Sequence, residues 1–215
     1  VAITSKLTAI GIIALSLTIG FLSFYLLRDL PKEEKKKHLE ELTSQLINFV
    51  LFIWLGKIIL NISIFISDPL SVLAYPSDSK AFYLATVLLS FLLVYKTKRK
   101  NLEVLPILES FVHVFLISSF VYEFIQLVIE ENRYALGYLV LLALLIGLFF
   151  FLTERFTVPI LLIIITSIWS VGMLVLLYVQ PFVTVFGYMM TPWFVMLFSI
   201  TSVGSLTYKI RGRDT

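Results

Sequence analysis

Residues 135–152 read ALGYLVLLALLIGLFFFL, eighteen residues without a charge. A helix needs about 20 apolar residues to cross ~30 Å of hydrocarbon. Hydrocarbon offers no partner for a free backbone N–H or C=O, so a run of this kind must be helical. Six more such blocks lie on either side of it, at about 7–28, 44–66, 81–97, 104–129, 158–180 and 185–207. The seven blocks take up most of a chain of 215 residues, 59% of them hydrophobic. They are continuously apolar rather than alternating, which excludes a transmembrane barrel. The expected fold is therefore an all-α integral membrane protein, with residues 1–215 forming a single domain of seven transmembrane helices. The loops hold no soluble catalytic domain, so any activity belongs between the helices or at the two membrane surfaces. The first block does not read as a cleaved signal: Lys6 is its only basic lead, and no small-x-small pattern ends it.

Lys and Arg are divided unequally between the two sets of loops. One set carries Arg28, Lys32, Lys35, Lys36, Lys37, Lys96, Lys98, Arg99, Lys100, Arg155, Lys209, Arg211 and Arg213; the other carries Lys6, Lys80 and Arg133. By the positive-inside rule the N-terminus lies outside and the C-terminus in the cytoplasm, as an odd number of spans requires. The net charge of +3 is thus a topology signal and not a nucleic-acid footprint, although the basic clusters can also meet anionic headgroups. Cysteine is absent, which rules out thiol nucleophiles, disulfide exchange, thiolate zinc sites and lipidation on Cys.

Two connections stand apart from the tight loops. Around residues 28–42 the chain reads RDLPKEEKKKHLEEL, with Glu33/Lys37 and Glu34/His38 four apart. That spacing suits a short helical lead-in to the second span, and a solvated linker is the plainer alternative. The segment SDPLSVLAYPSDSK at 67–80 carries Pro69 and Pro76 around an apolar middle of Leu70, Val72, Leu73 and Tyr75, and suits an interfacial or re-entrant piece. Pro159 falls at the start of a span, where its missing N–H costs nothing, whereas Pro192 falls inside the seventh block and is expected to kink it or end its first turns. No internal repeat of the kind seen in many transporters is evident.

Ionisable residues inside spans are costly unless paired or watered, and so mark candidate sites. Lys57 lies past the middle of the second span, about 20 Å from its cytoplasmic end at 1.5 Å per residue. Glu109, His113 and Glu123 fall within one arc of the fourth span, together with Leu116, Phe120 and Leu127. The expected arrangement sets Lys57 against that face, within reach of His113 or Glu123; the alternative lets Lys57 snorkel and leaves Glu123 interfacial. Two histidines make neither a bis-histidine haem site nor a usual metal site, and no G-x-S-x-G or H-E-x-x-H occurs. No cofactor or metal is expected. Tyr25, Tyr95, Tyr134, Tyr178, Tyr188, Trp193 and Tyr208 suit interface anchors.

The order of these features resembles bacterial prolipoprotein diacylglyceryl transferase. That family has seven spans with the N-terminus out, and moves a diacylglyceryl group from phosphatidylglycerol to a lipoprotein cysteine. Ile10–Gly11 stands where the family has Tyr-Gly, Gly56–Lys57 resembles its Gly-Arg, and Asp68-Pro69-Leu70 resembles its Asp-Pro-Leu. Phe82–Tyr83 falls at its Phe-His, Lys96–Lys100 at its basic cytoplasmic loop, and Met190–Gly204 at its last span. The chain also departs from the family. Tyr83 replaces the histidine of its glycine-rich motif, Phe120 the arginine of its fourth span, and Val128 that span's final glutamate. Trp169–Met173 replaces a Tyr-Gly-x-x-Arg, and the outer head is reduced to Glu130–Arg133. Holding an anionic lipid and activating a thiol needs those arginines and that histidine. The resemblance therefore implies a non-catalytic relative, a pseudoenzyme of the bacterial inner membrane.

The leading expectation is a multi-pass protein of the cell membrane that binds membrane lipid, or a membrane or lipoprotein partner, in a lateral groove lined by spans two to four. The candidate ligand-binding residues are Lys57, Glu109, His113, Glu123 and Tyr83. One alternative is a transporter or channel subunit using Glu109, His113 and Lys57 as a relay. Another is an enzyme acting on lipid at the outer surface through Glu123, Tyr83 and Lys57.

Overall fold

A computed structural model describes residues 2–74, 78–100 and 103–211. Tyr75, Pro76 and Arg213, used in the readings above, lie outside the described residues. The chain is almost entirely helical: α1 (Ala2–Leu27), α2 (Lys32–Leu60), α3 (Ile62–Ser67), α4 (Pro69–Ala74), α5 (Ser79–Lys100), α6 (Val104–Val128), α7 (Ala135–Thr153), α8 (Val158–Val179) and α9 (Pro192–Arg211), with a short hairpin of β1 (Thr184–Val185) and β2 (Tyr188–Met189) before α9. Among the described residues, six helices (α1, α2, α5, α6, α7 and α8) are long and apolar enough to cross a membrane. The chain is an all-α, multi-pass membrane protein. Its outward apolar side chains, such as Leu26, Ile66, Phe91 and Ile200, are those a lipid environment accommodates.

The chain divides into two compact units, Val1–Pro31 with Leu108–Thr215, and Lys32–Ile107. In the first unit α1 and α6 run antiparallel. Gly20 meets Ser118, Ser23 meets His113 and Arg28 meets Glu109, so partner numbers fall along α6 as they rise along α1. Gly20 is what allows this approach: a Cβ there would collide with Ser118 Oγ and stand 2.8 Å from the Val114 carbonyl oxygen. Beyond α6, Trp169 of α8 gathers Phe115 of α6 and Phe198 of α9 by edge contacts with centroids 6.3 and 5.8 Å apart.

In the second unit α2 and α5 are antiparallel. Glu41 pairs with Lys96, Phe49 meets Phe82 edge-on at 5.3 Å, and Gly56 lies against Ala81, where a Cβ would come 3.1 Å from the Ala81 carbonyl oxygen. The charged segment before the second span belongs to α2, which is helical from Lys32 onward, with Glu33 and Glu34 in its first turn opposite the helix dipole. The helical lead-in is therefore the form adopted, not the linker.

Three expectations about spans are corrected. The second span is not continuous over 44–66: the helix breaks at Asn61, whose side-chain amide donates to the Lys57 carbonyl oxygen at 2.9 Å, and resumes as α3. The Asn61 backbone N–H keeps its bond to the same oxygen at 3.1 Å, so the amide caps this last carbonyl at the helix end. The apolar segment that follows forms α4, whose first turn is capped by Asp68, its Oδ1 accepting from Ser71 N–H at 3.1 Å. The seventh block does not begin a helix at 185. Residues 184–189 form a hairpin, and Pro192 opens α9 instead of kinking it. Proline suits that position because its fixed φ is helical and no N–H is needed there. The hairpin turn places Phe186 and Gly187 at φ of 49° and 83°. Mirror-image turns of this kind match the strand twist, and Gly is the residue they favour.

Candidate functional site

The ionisable face of α6 is buried. Glu109 is 8% exposed, His113 1% and Glu123 2%. The two glutamates are 14 positions apart, which at 1.5 Å per residue sets them about 21 Å apart along the axis. Each of the three residues meets a different environment within the first unit.

Arg28, the residue after α1, places Nη2 2.6 Å from Glu109 Oε1, and both side chains are largely shielded. Charge-assisted contacts of this length are the strong ones. Glu109 is thus neutralised by a residue that the sequence presents as a loop cation. His113 shares a hydrogen bond of 3.1 Å between Nε2 and Ser23 Oγ. Its ring is enclosed edge-on by Phe24, Phe149 and Phe150, with centroids 5.3–5.8 Å away. The crevice beside it, lined by His113, Leu116, Ile117, Ile146, Phe149 and Phe150, leaves no room for a water molecule.

Glu123 differs. Its Oε1 is buried and has no hydrogen-bond partner, and the Ser118 and Ser170 hydroxyls are likewise unpartnered. Nearby, Trp169 Nε1–H donates to the Tyr138 hydroxyl at 3.1 Å. Tyr138 in turn interacts with both Ser119 and Glu123. Buried polar side chains of α6, α7 and α8 thus lie within the first unit.

Lys57 and Tyr83 belong to the second unit. Lys57 is 6% exposed and sits in the last turn of α2, one turn before the break at Asn61, and not midway along an unbroken span. A cation there is favoured by the helix C-terminal carbonyls. Tyr83 of α5 is 6% exposed, with an edge contact to Phe82 at 6.3 Å. Three of the five candidate residues thus share one helix and one unit, and two lie in the other.

Sequence reasoning missed Arg28, Ser23, Ser119, Tyr138 and Trp169. A signal for α1 was present: Ser16, Gly20 and Ser23 recur three to four residues apart on one face, the pattern of a close helix–helix seam. The second unit also gathers charge. Segments 32–41 and 96–100 hold eight Lys or Arg against four Glu. The Glu41–Lys96 ion pair of 2.7 Å sets the two segments side by side, with Gln45 also donating to Glu41. Lys32, Lys36, Lys37, Lys98 and Arg99 remain exposed at that end. Among the described residues no group of three or more His, Asp or Glu is placed to hold a metal.

No protein-family profile, no curated protein and no solved structure matches this chain.

Proposed function

We propose that this chain is a non-catalytic membrane protein that binds anionic phospholipid through the basic end of its second unit. The observation that carries this reading is the Glu41–Lys96 ion pair, which brings the basic start of α2 and the basic end of α5 together. Each Lys or Arg near an anionic leaflet contributes about 1 kcal/mol, so a cluster gives useful affinity where one charge does not. A non-catalytic role is supported by the engagement of Glu109 with Arg28 and of His113 with Ser23.

In this reading α9 is the seventh span, its 20 residues being about 30 Å long. The N-terminus is outside, and the basic ends meet the cytoplasmic leaflet of a bacterial inner membrane. The scaffold is the one that diacylglyceryl transferases use, with its reaction lost and its affinity for a phospholipid, or for a membrane or lipoprotein partner, retained. Native mass spectrometry of protein purified from membranes tests this. Wild type is expected to carry anionic phospholipid, and the Lys36→Gln/Lys37→Gln/Lys98→Gln/Arg99→Gln variant to lose most of it. Equal retention by the two proteins overturns the reading.

A further inference from the structure

His38 and His113 are the histidines of the chain, and His38 is the one in the second unit. Its place follows from the packing of α2 on α5. Gly56 lies against Ala81 and Glu41 pairs with Lys96. The steps from 56 to 41 and from 81 to 96 are both 15 positions, so one antiparallel register holds along the contact. Three positions further along each helix bring His38 to the level of Arg99. His38 also falls within one arc of α2 with Leu42, Gln45 and Gly56, which that helix buries. It is half-buried, as is Lys35 one turn before it. The apolar part of α2 opens only at about 44, so His38 stands outside the hydrocarbon span.

The charged groups around this position come from both helices. On α2, Glu34 and Lys35 lie one turn before His38 and Glu41 one turn after it. On α5, Lys96 and Arg99 come from the opposite side. Glu41 and Lys96 neutralise one another at 2.7 Å. The balance is then Lys35 and Arg99 against Glu34, with Lys32, Lys36, Lys37 and Lys98 exposed beyond them. Histidine is the side chain that changes charge between about pH 5 and 8 in ordinary surroundings. An imidazolium is disfavoured among like charges and favoured by an opposite one. A phosphate brought to this end supplies the opposite charge, so anion binding and protonation of His38 reinforce each other. The coupling is reciprocal: the factor by which the anion favours the proton is the factor by which the proton favours the anion.

We propose that His38 is a further binding residue of the anionic-phospholipid site, and that its charge makes lipid binding strengthen as pH falls. The role rests on the lipid reading and adds a residue and a pH dependence to it. The gain is complete where the imidazole is fully charged and is lost as pH rises through its range, a window of about pH 6 to 8. The test titrates short-chain phosphatidylglycerol, whose phosphodiester stays ionised throughout, into delipidated wild type, His38→Gln and His38→Lys. Each titration is run in detergent at about pH 6 and about pH 8, at constant ionic strength. Wild type is expected to bind about fivefold more tightly at the lower pH, the worth of one added charge near an anionic surface. His38→Gln is expected to bind equally at both. His38→Lys, charged throughout, is expected to bind equally at both and as tightly as wild type in acid. Wild type that binds equally at the two pH values overturns the proposal, as does a His38→Gln that keeps the wild-type difference. Where His38→Gln does not fold, a pH difference that persists in His38→Lys overturns it as well. Salt-dependent binding without pH dependence removes this role alone, whereas no salt-dependent binding at either pH removes the lipid reading with it.

Discussion

Arg28 and Glu109 meet at 2.6 Å across the antiparallel contact of α1 and α6, although 81 residues separate them in the chain. Removing one member of a shielded ion pair leaves the other uncompensated, which typically costs 3–5 kcal/mol. Arg28→Ala and Glu109→Ala are each expected to cost about 3 kcal/mol in mixed-micelle unfolding. Arg28→Met/Glu109→Leu is expected to recover most of that, because an apolar pair needs no compensation. A double variant as unstable as the sum of the singles would contradict a direct pair.

Gly20 and Ser118 mark the closest approach of the same two helices. Gly20→Ala places a methyl on Ser118 Oγ and 2.8 Å from the Val114 carbonyl oxygen. Overpacking of this kind costs about 1–3 kcal/mol. Ser118→Ala added to Gly20→Ala is expected to restore only part of the loss, because the Val114 backbone cannot retreat as a side chain can. Full restoration in the same unfolding assay would show that the backbone contact is unimportant.

Within the second unit Glu41 is the acceptor shared by Lys96 and Gln45. Glu41→Ala leaves two donors unserved, whereas Lys96→Ala leaves Glu41 still bonded to Gln45. The Glu41 change is expected to be the more destabilising, by about 1 kcal/mol, the worth of one hydrogen bond. Equal losses in denaturant titrations would argue against a shared acceptor.

Gly187 and Pro192 test the corrected start of the last helix. Gly187 has φ of 83° and lies beneath the Tyr122 hydroxyl, where a Cβ would stand 3.1 Å away. Gly187→Ala is expected to cost about 1–2 kcal/mol, the penalty for a side chain in the left-handed region. Pro192→Ala is expected to change stability by less than about 0.5 kcal/mol, since it opens α9 and interrupts nothing. A large stabilisation by Pro192→Ala in thermal unfolding would instead favour a kinked helix starting earlier.

Hydropathy made the all-α membrane character and the approximate place of six apolar helices legible, because burial in lipid acts on each segment by itself. It did not reveal where a segment changes its structure. Asn61 breaks the second apolar block with a side-chain hydrogen bond, and the sequence 184–189 pairs with itself before Pro192. Both decisions turn on a few local hydrogen bonds that an averaged apolar signal does not register. The buried face of α6 was legible too, since Glu109, His113 and Glu123 recur at helical spacing. The partners of Glu109 and His113 were not. Arg28 counts as a loop charge until α1 and α6 are placed side by side, and Ser23 reads as an ordinary small residue of a seam. Lys57 was located one turn from a helix end only once the break at Asn61 was known.

The most direct measurement is titration of short-chain phosphatidylglycerol into delipidated protein at several salt concentrations. The account predicts saturable binding that weakens as salt rises, since screening acts strongly on exposed charges. It also predicts a loss of more than tenfold in affinity for the Lys36→Gln/Lys37→Gln/Lys98→Gln/Arg99→Gln variant, about 1 kcal/mol being at stake for each charge removed. Affinity that is indifferent to salt and unchanged in that variant would contradict it.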